Sequence, residues 1–195
     1  MSSARFYPWK WQLAGGVLLL VAGVAIAAIG SDHLLAMLVG ILAAMAGATL
    51  VGKAEVRQHG QKVERIALSG LKLPDGWTIE PNHRLKTGGD LDLFLSHLNG
   101  TRFAIEIKSQ EGALLKRSQF GMQEELLRLN GKRFEKDPVA QVLHAASQVN
   151  AIPVIWFPNA KLARTYHLRS GVIVVQGDQR LLQHAIGSRR KWFRF

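Results

Sequence analysis

The sequence predicts an α/β domain with a mixed β-sheet flanked by helices, preceded by a two-helix transmembrane hairpin. Two long runs without a charged residue, 13–29 and 34–52, occupy the first quarter of the chain. Two segments of alternating polar and apolar residues follow at 90–98 and 102–109, and this alternation is typical of half-buried strands. Helical patterns surround these strands, and that mixture indicates an α/β fold.

Each apolar run is close to the ~20 residues that a helix needs to cross a bilayer. We therefore expect transmembrane helices at about 13–30 and 34–52. A cleaved signal peptide is disfavoured, because a second apolar run follows the first. Arg5 and Lys10 precede the spans and Lys53 follows them, so the positive-inside rule predicts a multi-pass protein of the bacterial inner membrane with both termini cytoplasmic.

The two spans contain small residues that allow helices to approach closely. Packing within the hairpin explains them, and packing against a second copy of the chain, giving a homo-oligomer, stays open. The spans contain no acid or base, which leaves a transport or proton-relay role without a residue to perform it. The glycines concerned are Gly15, Gly16, Gly23, Gly40 and Gly47.

The chain is strongly basic, with a formal net charge of +11. Every Lys and Arg except Arg5 and Lys10 lies after residue 52. Such an excess predicts a polyanionic partner, either nucleic acid or the anionic inner leaflet. The absence of cysteine excludes a disulfide framework and a thiolate metal site.

After the spans, the pattern predicts a domain over residues 53–187 and a tail over 188–195. Asp137 is placed to cap a helix that has Pro138 at its first position. The tail alternates cations with aromatic residues. Such a segment can stack on and pair with nucleic acid, or be a disordered end, but because the domain is already tethered we expect it to contact anionic lipid. The predicted helices are 54–73, a segment starting at 137, and 178–186; the predicted strands are 77–80, 90–98, 102–109, 152–157 and 171–176, with a basic loop at 83–89.

The connection at 98–100 decides which residues of the two alternating strands share a face. A two-residue turn at Asn99-Gly100 would put the apolar residues of the two strands on opposite faces. A three-residue loop with Gly100 left-handed restores a single apolar face. The register is then Leu93 opposite Ile105, Leu95 opposite Phe103 and Asp92 opposite Glu106, with Leu91 on the face of Leu93.

In that register Asp92, Glu106 and Lys108 share the polar face of the hairpin. Two close carboxylates repel each other unless a cation lies between them, and oxygen ligands suit Mg²⁺ or Mn²⁺. A nearby lysine could hold an attacking water or offset charge on a phosphate. The alternative is a solvent-facing hairpin with ordinary cross-strand charges.

Asp92 followed by Glu106-Ile107-Lys108 resembles the metal and catalytic motif of the PD-(D/E)xK nuclease superfamily. Within it, 91–92, 105–108 and 111–112 look like the NERD branch, the nuclease-related domain. Residues 137–141 are similar to that family's Asn-Pro-x-x-Gln helix start, and 152–157 to its following strand. The resemblance covers about residues 60–176.

The resemblance implies a restriction-endonuclease-like fold and adds Gln141 to Asp92, Glu106 and Lys108 as a catalytic residue. It also implies that Glu64, on the first helix, completes the metal site with Asp92 and Glu106. From the residues alone, Glu64 is equally well explained as a solvated helix acid. The family's variable region lies near the cleft, which makes four cations candidates for nucleic-acid binding, although a solvated loop also explains them: Lys116, Arg117, Lys132 and Arg133.

The resulting functional prediction is a membrane-anchored, cytoplasm-facing nuclease-related protein. It would hydrolyse phosphodiester bonds of nucleic acid, with DNA expected over RNA and with Mg²⁺ or Mn²⁺ as cofactor. One alternative is a non-catalytic module that binds or tethers nucleic acid at the membrane. Another is a structural subunit of a secretion or conjugation apparatus, which would rest on the small-residue hairpin.

Overall fold

The computed structural model describes residues 8–112, 114–116, 126–129 and 132–188. The chain divides into two compact units, Met1–Lys62 and Val63–Phe195. Arg117 and all but the first residue of the predicted tail lie outside the described residues.

The first unit contains helix α1 (Pro8–Ile29) and most of helix α2 (Leu34–Ser69). Both are long and apolar enough to cross a bilayer. The helices meet through glycines: Gly23 lies against the backbone of Gly40 and Ala44, and Gly47 lies against the backbone of Gly16. Gly15 faces open space, so it takes no part in this packing.

Helix α2 is continuous from Leu34 to Ser69. The second apolar run and the helix predicted from residue 54 are therefore a single element. The residues at the junction, Lys53, Ala54 and Glu55, all favour helix, and no proline interrupts them.

The second unit is built on a six-stranded mixed sheet with the order β1-β2-β3-β7-β9-β8. Pairs β1/β2, β2/β3 and β8/β9 are antiparallel, whereas β3/β7 and β7/β9 are parallel. The other three strands form a separate small sheet. The strands are β1 (Trp77–Arg84), β2 (Asp90–His97), β3 (Arg102–Ile107), β4 (Leu114–Lys116), β5 (Leu126–Leu129), β6 (Lys132–Arg133), β7 (Ile152–Phe157), β8 (Arg164–His167) and β9 (Ile173–Gln176).

The predicted register of the β2–β3 hairpin is confirmed. Leu93 pairs with Ile105 and Leu95 pairs with Phe103. The connection is the three-residue loop: Gly100 N donates to His97 O over 2.9 Å, and Gly100 has φ +88°. The loop closes with a bond from His97 N to Thr101 O. This bond fixes the register in which the apolar residues of the two strands share a face.

Helices cover both faces of the large sheet. On one face, Leu93, Phe103 and Trp156 pack with Ala67 of α2 and with helix α4 (Gln179–Ser188). On the other face, helix α3 (Pro138–Val149) packs on the sheet through its buried residues Val142, Ala145 and Ala146. The alternation seen in the sequence of β2 and β3 is thus the alternation between these two layers.

Two sequence-based expectations were wrong, and one strand of the large sheet was missed. Leu91 packs with Phe94 and Ala104 rather than with Leu93. Asn82, in the neighbouring strand at the level of Asp92, has φ +53°, so β1 is locally distorted beside this change of face. His83 and Arg84 extend β1 instead of belonging to a loop. Strand β8, which is mostly exposed and polar, was not predicted, because its sequence lacks an apolar pattern.

Candidate active site

Asp92 lies where strands β2 and β3 separate. Their backbone pairing extends as far as Leu93 and Ile105. In an antiparallel pair the hydrogen-bonded positions recur every two residues, so Ile107 N would next donate to the backbone of β2. It donates instead to Asp92 Oδ2 over 2.6 Å. The carboxylate therefore continues the ladder and is fixed at this point of the sheet.

The Asp92 carboxyl is hard to ionise in this position. Burial and the neighbouring Glu106 carboxylate, with a further contribution from Glu64, raise its pKa from 3.8 to about 8. The bond from Ile107 N and the charge of Lys108 oppose this rise but do not cancel it. Burial is the largest of these causes, and the two neighbouring carboxylates add to it, so Asp92 keeps its proton at neutral pH.

Lys108 joins Glu106 to helix α3. Its Nζ lies 2.8 Å from Glu106 Oε1 and donates to Gln141 Oε1 over 3.0 Å. The side chains of Lys108 and Glu106 are only 18% and 19% exposed, which strengthens their attraction relative to a surface pair. The ammonium is therefore held in place beside the carboxylates.

Backbone bonds position both ends of this contact. Lys108 N donates to Trp156 O over 2.8 Å, which ties the end of β3 to β7. At the start of α3, Asp137 caps the helix by accepting from Val139 N over 2.9 Å, and its carbonyl accepts from Gln141 N. The predicted helix start is confirmed, and it places Gln141 in the first turn, facing Lys108.

Glu64 belongs to the part of α2 that lies in the second unit, and its charge acts on Asp92. The acidic groups that act on Asp92 are carboxylates, whose oxygens suit a hard divalent cation, and a bound cation would favour the ionised form of Asp92. Within the described ranges, however, no three His, Cys, Asp or Glu side chains surround a single point closely enough to hold a metal. Among the described residues, the charges of both Glu106 and Glu64 act on Asp92, and the effect of Glu106 is the larger.

The structure thus brings together Asp92, Glu106, Lys108 and Gln141, with Glu64 close enough to affect Asp92. Three of the predicted nucleic-acid contacts, Lys116 in β4 and Lys132 and Arg133 in β6, have strand positions but no described side-chain positions. The fourth, Arg117, lies outside the described residues.

Sequence reasoning missed two polar contacts near this edge of the sheet. Ile107 contributes through its backbone N–H, which no side-chain pattern could reveal. Gln148 accepts from Thr87 N over 3.2 Å and so connects α3 to the β1–β2 turn. Its position off the apolar stripe of α3 was visible in the sequence, but its partner depends on the tertiary fold.

The fold and site define an α/β protein with a carboxylate and lysine cluster at one edge of a mixed sheet. No protein-family model, no curated protein and no solved structure matches the chain.

Proposed function

We propose that the protein is a membrane-anchored nuclease that hydrolyses phosphodiester bonds with the help of a divalent cation. The observation that carries the proposal is Asp92, half-buried at the point where β2 and β3 separate. The charges of Glu106 and Glu64 act on it, and Lys108 is held between Glu106 and Gln141. The resemblance of the same residues to the NERD branch of the PD-(D/E)xK nucleases supports it. DNA is the expected substrate, and RNA is the alternative that the test below includes.

In this proposal Asp92 and Glu106 would hold Mg²⁺ or Mn²⁺, and Glu64 would add negative charge to the site. A divalent ion bound there would neutralise a phosphate and lower the pKa of a bound water. Lys108 would offset the charge that develops on the phosphate, or position the water, and Gln141 would hold the lysine in place. The hydrogen bond from Ile107 N fixes the orientation of the Asp92 carboxylate, which would leave oxygen lone pairs for a cation.

Membrane anchoring is the second part of the proposal. Large apolar side chains cover the outside of α1 and of the first half of α2, and Leu18 and Leu35 are 71% and 78% exposed. A bilayer would cover this surface, whereas the core helix of a soluble protein would have buried it. The positive-inside rule then puts both termini and the second unit in the cytoplasm.

The test uses the full chain in lipid nanodiscs with labelled single- and double-stranded DNA and RNA. Reactions contain Mg²⁺, Mn²⁺ or EDTA. We expect metal-dependent cutting that falls about a hundredfold or more in Asp92→Asn and Lys108→Ala. Asp90→Asn is the matched control, because Asp90 is an exposed acid two residues from Asp92.

Two results would contradict the proposal. Salt-sensitive binding without cutting, unchanged in the Asp92 and Lys108 variants, would favour the tethering module. Loss of assembly on changing Gly40 or Gly47, with Asp92→Asn harmless, would favour a structural subunit.

A further inference from the structure

The turn between β1 and β2 exposes two cations. We call residues 84–89 the β1–β2 corner. Arg84 and Lys86 are exposed on either side of Leu85, which is buried. Asp90 is the register partner of Arg84, yet the ion pairs of the described residues include neither Arg84 nor Lys86. Both charges are therefore available to an anion from outside the chain.

The β1–β2 corner is fixed to the rest of the second unit. Leu85 packs in the same cluster as Ala145 and Ala146 of α3. On the same helix, Gln148 accepts from Thr87 N, and its amide nitrogen lies 2.9 Å from His144 Nε2. A turn that is held in one position loses little conformational freedom on binding, and this favours a recognition role over a merely solvated loop.

The corner lies at the same edge of the sheet as the carboxylates. Strand β2 begins at Asp90, which pairs with Arg84, and Asp92 follows two residues later. A strand rises about 3.3 Å per residue, so Asp90 lies about 7 Å from Asp92 along β2. Arg84, which pairs with Asp90, has the same offset from Asp92 along the strand direction. A substrate duplex whose axis ran parallel to β2 would cover this offset with about two nucleotides, because successive phosphates of one strand are about 3.4 Å apart along the axis.

The carboxylates themselves repel a phosphodiester, so binding needs cations beside the reacting position. At this edge Lys108 is already engaged by Glu106, and Lys161 by Glu111 over 2.6 Å. Arg84 and Lys86 have no such partner among the described residues. A guanidinium also matches the geometry of a phosphate through two parallel hydrogen bonds.

We infer that the β1–β2 corner binds the phosphate backbone of the substrate strand, with Arg84 and Lys86 on phosphates about two nucleotides from the bond at Asp92. The inference rests on the proposed function, because it takes nucleic acid to be the substrate. The contacts are to phosphates, so they contribute affinity and register without sequence preference.

The test compares Arg84→Ala/Lys86→Ala with a matched control, Lys72→Ala/Arg102→Ala, in the full chain in nanodiscs. The control removes the same charge from exposed residues at the opposite end of the strands. Affinity for a labelled DNA duplex is measured by anisotropy in EDTA over a salt series, and cutting is measured with Mg²⁺. We expect the corner variant to bind about tenfold more weakly at low salt and to lower the salt slope by about two. Its kcat/KM for cutting falls about as much as its affinity, because the lost phosphate contacts contribute to substrate binding and to the transition state alike.

The outcomes separate this inference from the proposed function. If wild type neither binds nor cuts any nucleic acid, the proposed function fails. If wild type binds and the two double variants behave alike, the inference is overturned while the proposed function stands, since only net charge then matters. A weaker Arg84→Ala/Lys86→Ala variant beside an unchanged Lys72→Ala/Arg102→Ala control supports the inference.

Discussion

The two units of the chain place large and small residues in opposite ways. In the helical hairpin the buried positions are glycines, among them Gly23 and Gly40, while leucines and valines face outward. In the α/β unit Trp156 and Phe103 are fully buried, and Leu98 at the hairpin loop is a rare exposed leucine. The difference shows that apolar burial organises one unit, whereas backbone contact organises the other.

Glycine itself differs between the units. Gly23 lies within a helix, and an added Cβ would collide with the backbone of Ala44. Gly100 has open space around it, but its φ of +88° is one that an L-residue rarely adopts. Side-chain volume therefore limits substitution at Gly23 in the helical hairpin. At Gly100, in the loop between β2 and β3, backbone conformation is the limit.

The largest effect is expected from Trp156→Ala in the core of the α/β unit. Trp156 is fully buried, and its Nε1 donates to Gly177 O over 2.8 Å. The variant leaves a cavity and an unpaired carbonyl, and we expect the free energy of unfolding to fall by about 3–5 kcal/mol. Denaturant unfolding measures it. Leu98→Ala, at an 89% exposed residue, is the control and should change little. Equal losses in the two variants would contradict burial as the organising force.

Gly23→Leu tests whether close backbone contact organises the helical hairpin. The added side chain forces the two helices apart, and we expect a loss of about 2–3 kcal/mol from overpacking. Thermal unfolding of the hairpin in nanodiscs, followed by circular dichroism, measures the change. Gly15→Leu, which projects into open space, should be neutral. A harmful Gly15→Leu would instead indicate contact with a second copy of the chain.

The pH dependence of stability tests the charge of the site. Asp92 keeps its proton up to about pH 8 in the folded chain, because its pKa is raised there, while the unfolded chain releases it near pH 3.8. Stability from this group is thus complete below pH 3.8 and is lost as pH rises through about 8. Between pH 5 and 8.5 in EDTA we expect a fall in Tm of about 5 °C. Asp92→Asn, which cannot ionise, should show a smaller fall, and an identical fall would place the effect elsewhere.

The smallest effect is expected at Gly100, in the loop between β2 and β3. Gly100→Ala costs about 1 kcal/mol, because alanine must adopt a left-handed conformation. Asn tolerates that conformation better, so Gly100→Asn should recover part of the loss. Chemical denaturation of the two variants provides the comparison. If alanine and asparagine cost the same, crowding rather than φ would be the constraint at this position.

Local patterns in the sequence were sufficient to predict much of the fold. The two apolar runs, the register of the β2–β3 hairpin and the Asp137-Pro138 helix start follow from periodicity, turn chemistry and capping. Strand β8 could not be predicted in this way, because an exposed edge strand needs no apolar pattern. The change of face at Leu91 lies beside a left-handed residue of the neighbouring strand, Asn82, and periodicity encodes neither.

Part of the candidate site could also be predicted from the sequence. The register predicted for β2 and β3 puts Asp92 and Glu106 on one face. The resemblance added Gln141, which hydrogen-bonds Lys108. The contact from Ile107 N to Asp92 was not predictable, because it requires the strands to separate beyond Ile105. The contact between Gln148 and Thr87 joins residues 61 positions apart, and only the packing of α3 on the sheet brings them together.

The hydrogen bond from Ile107 N makes the Asp92 side chain part of the sheet itself. Asp92→Asn keeps an acceptor at this point, whereas Asp92→Ala leaves the amide of Ile107 without one, so the two substitutions separate the role of the acceptor from that of the charge. Glu106 and Lys108 have no comparable backbone bond from their side chains among the described contacts. Substitution at those two positions can therefore change the charge of the site without loosening the junction of β2 and β3.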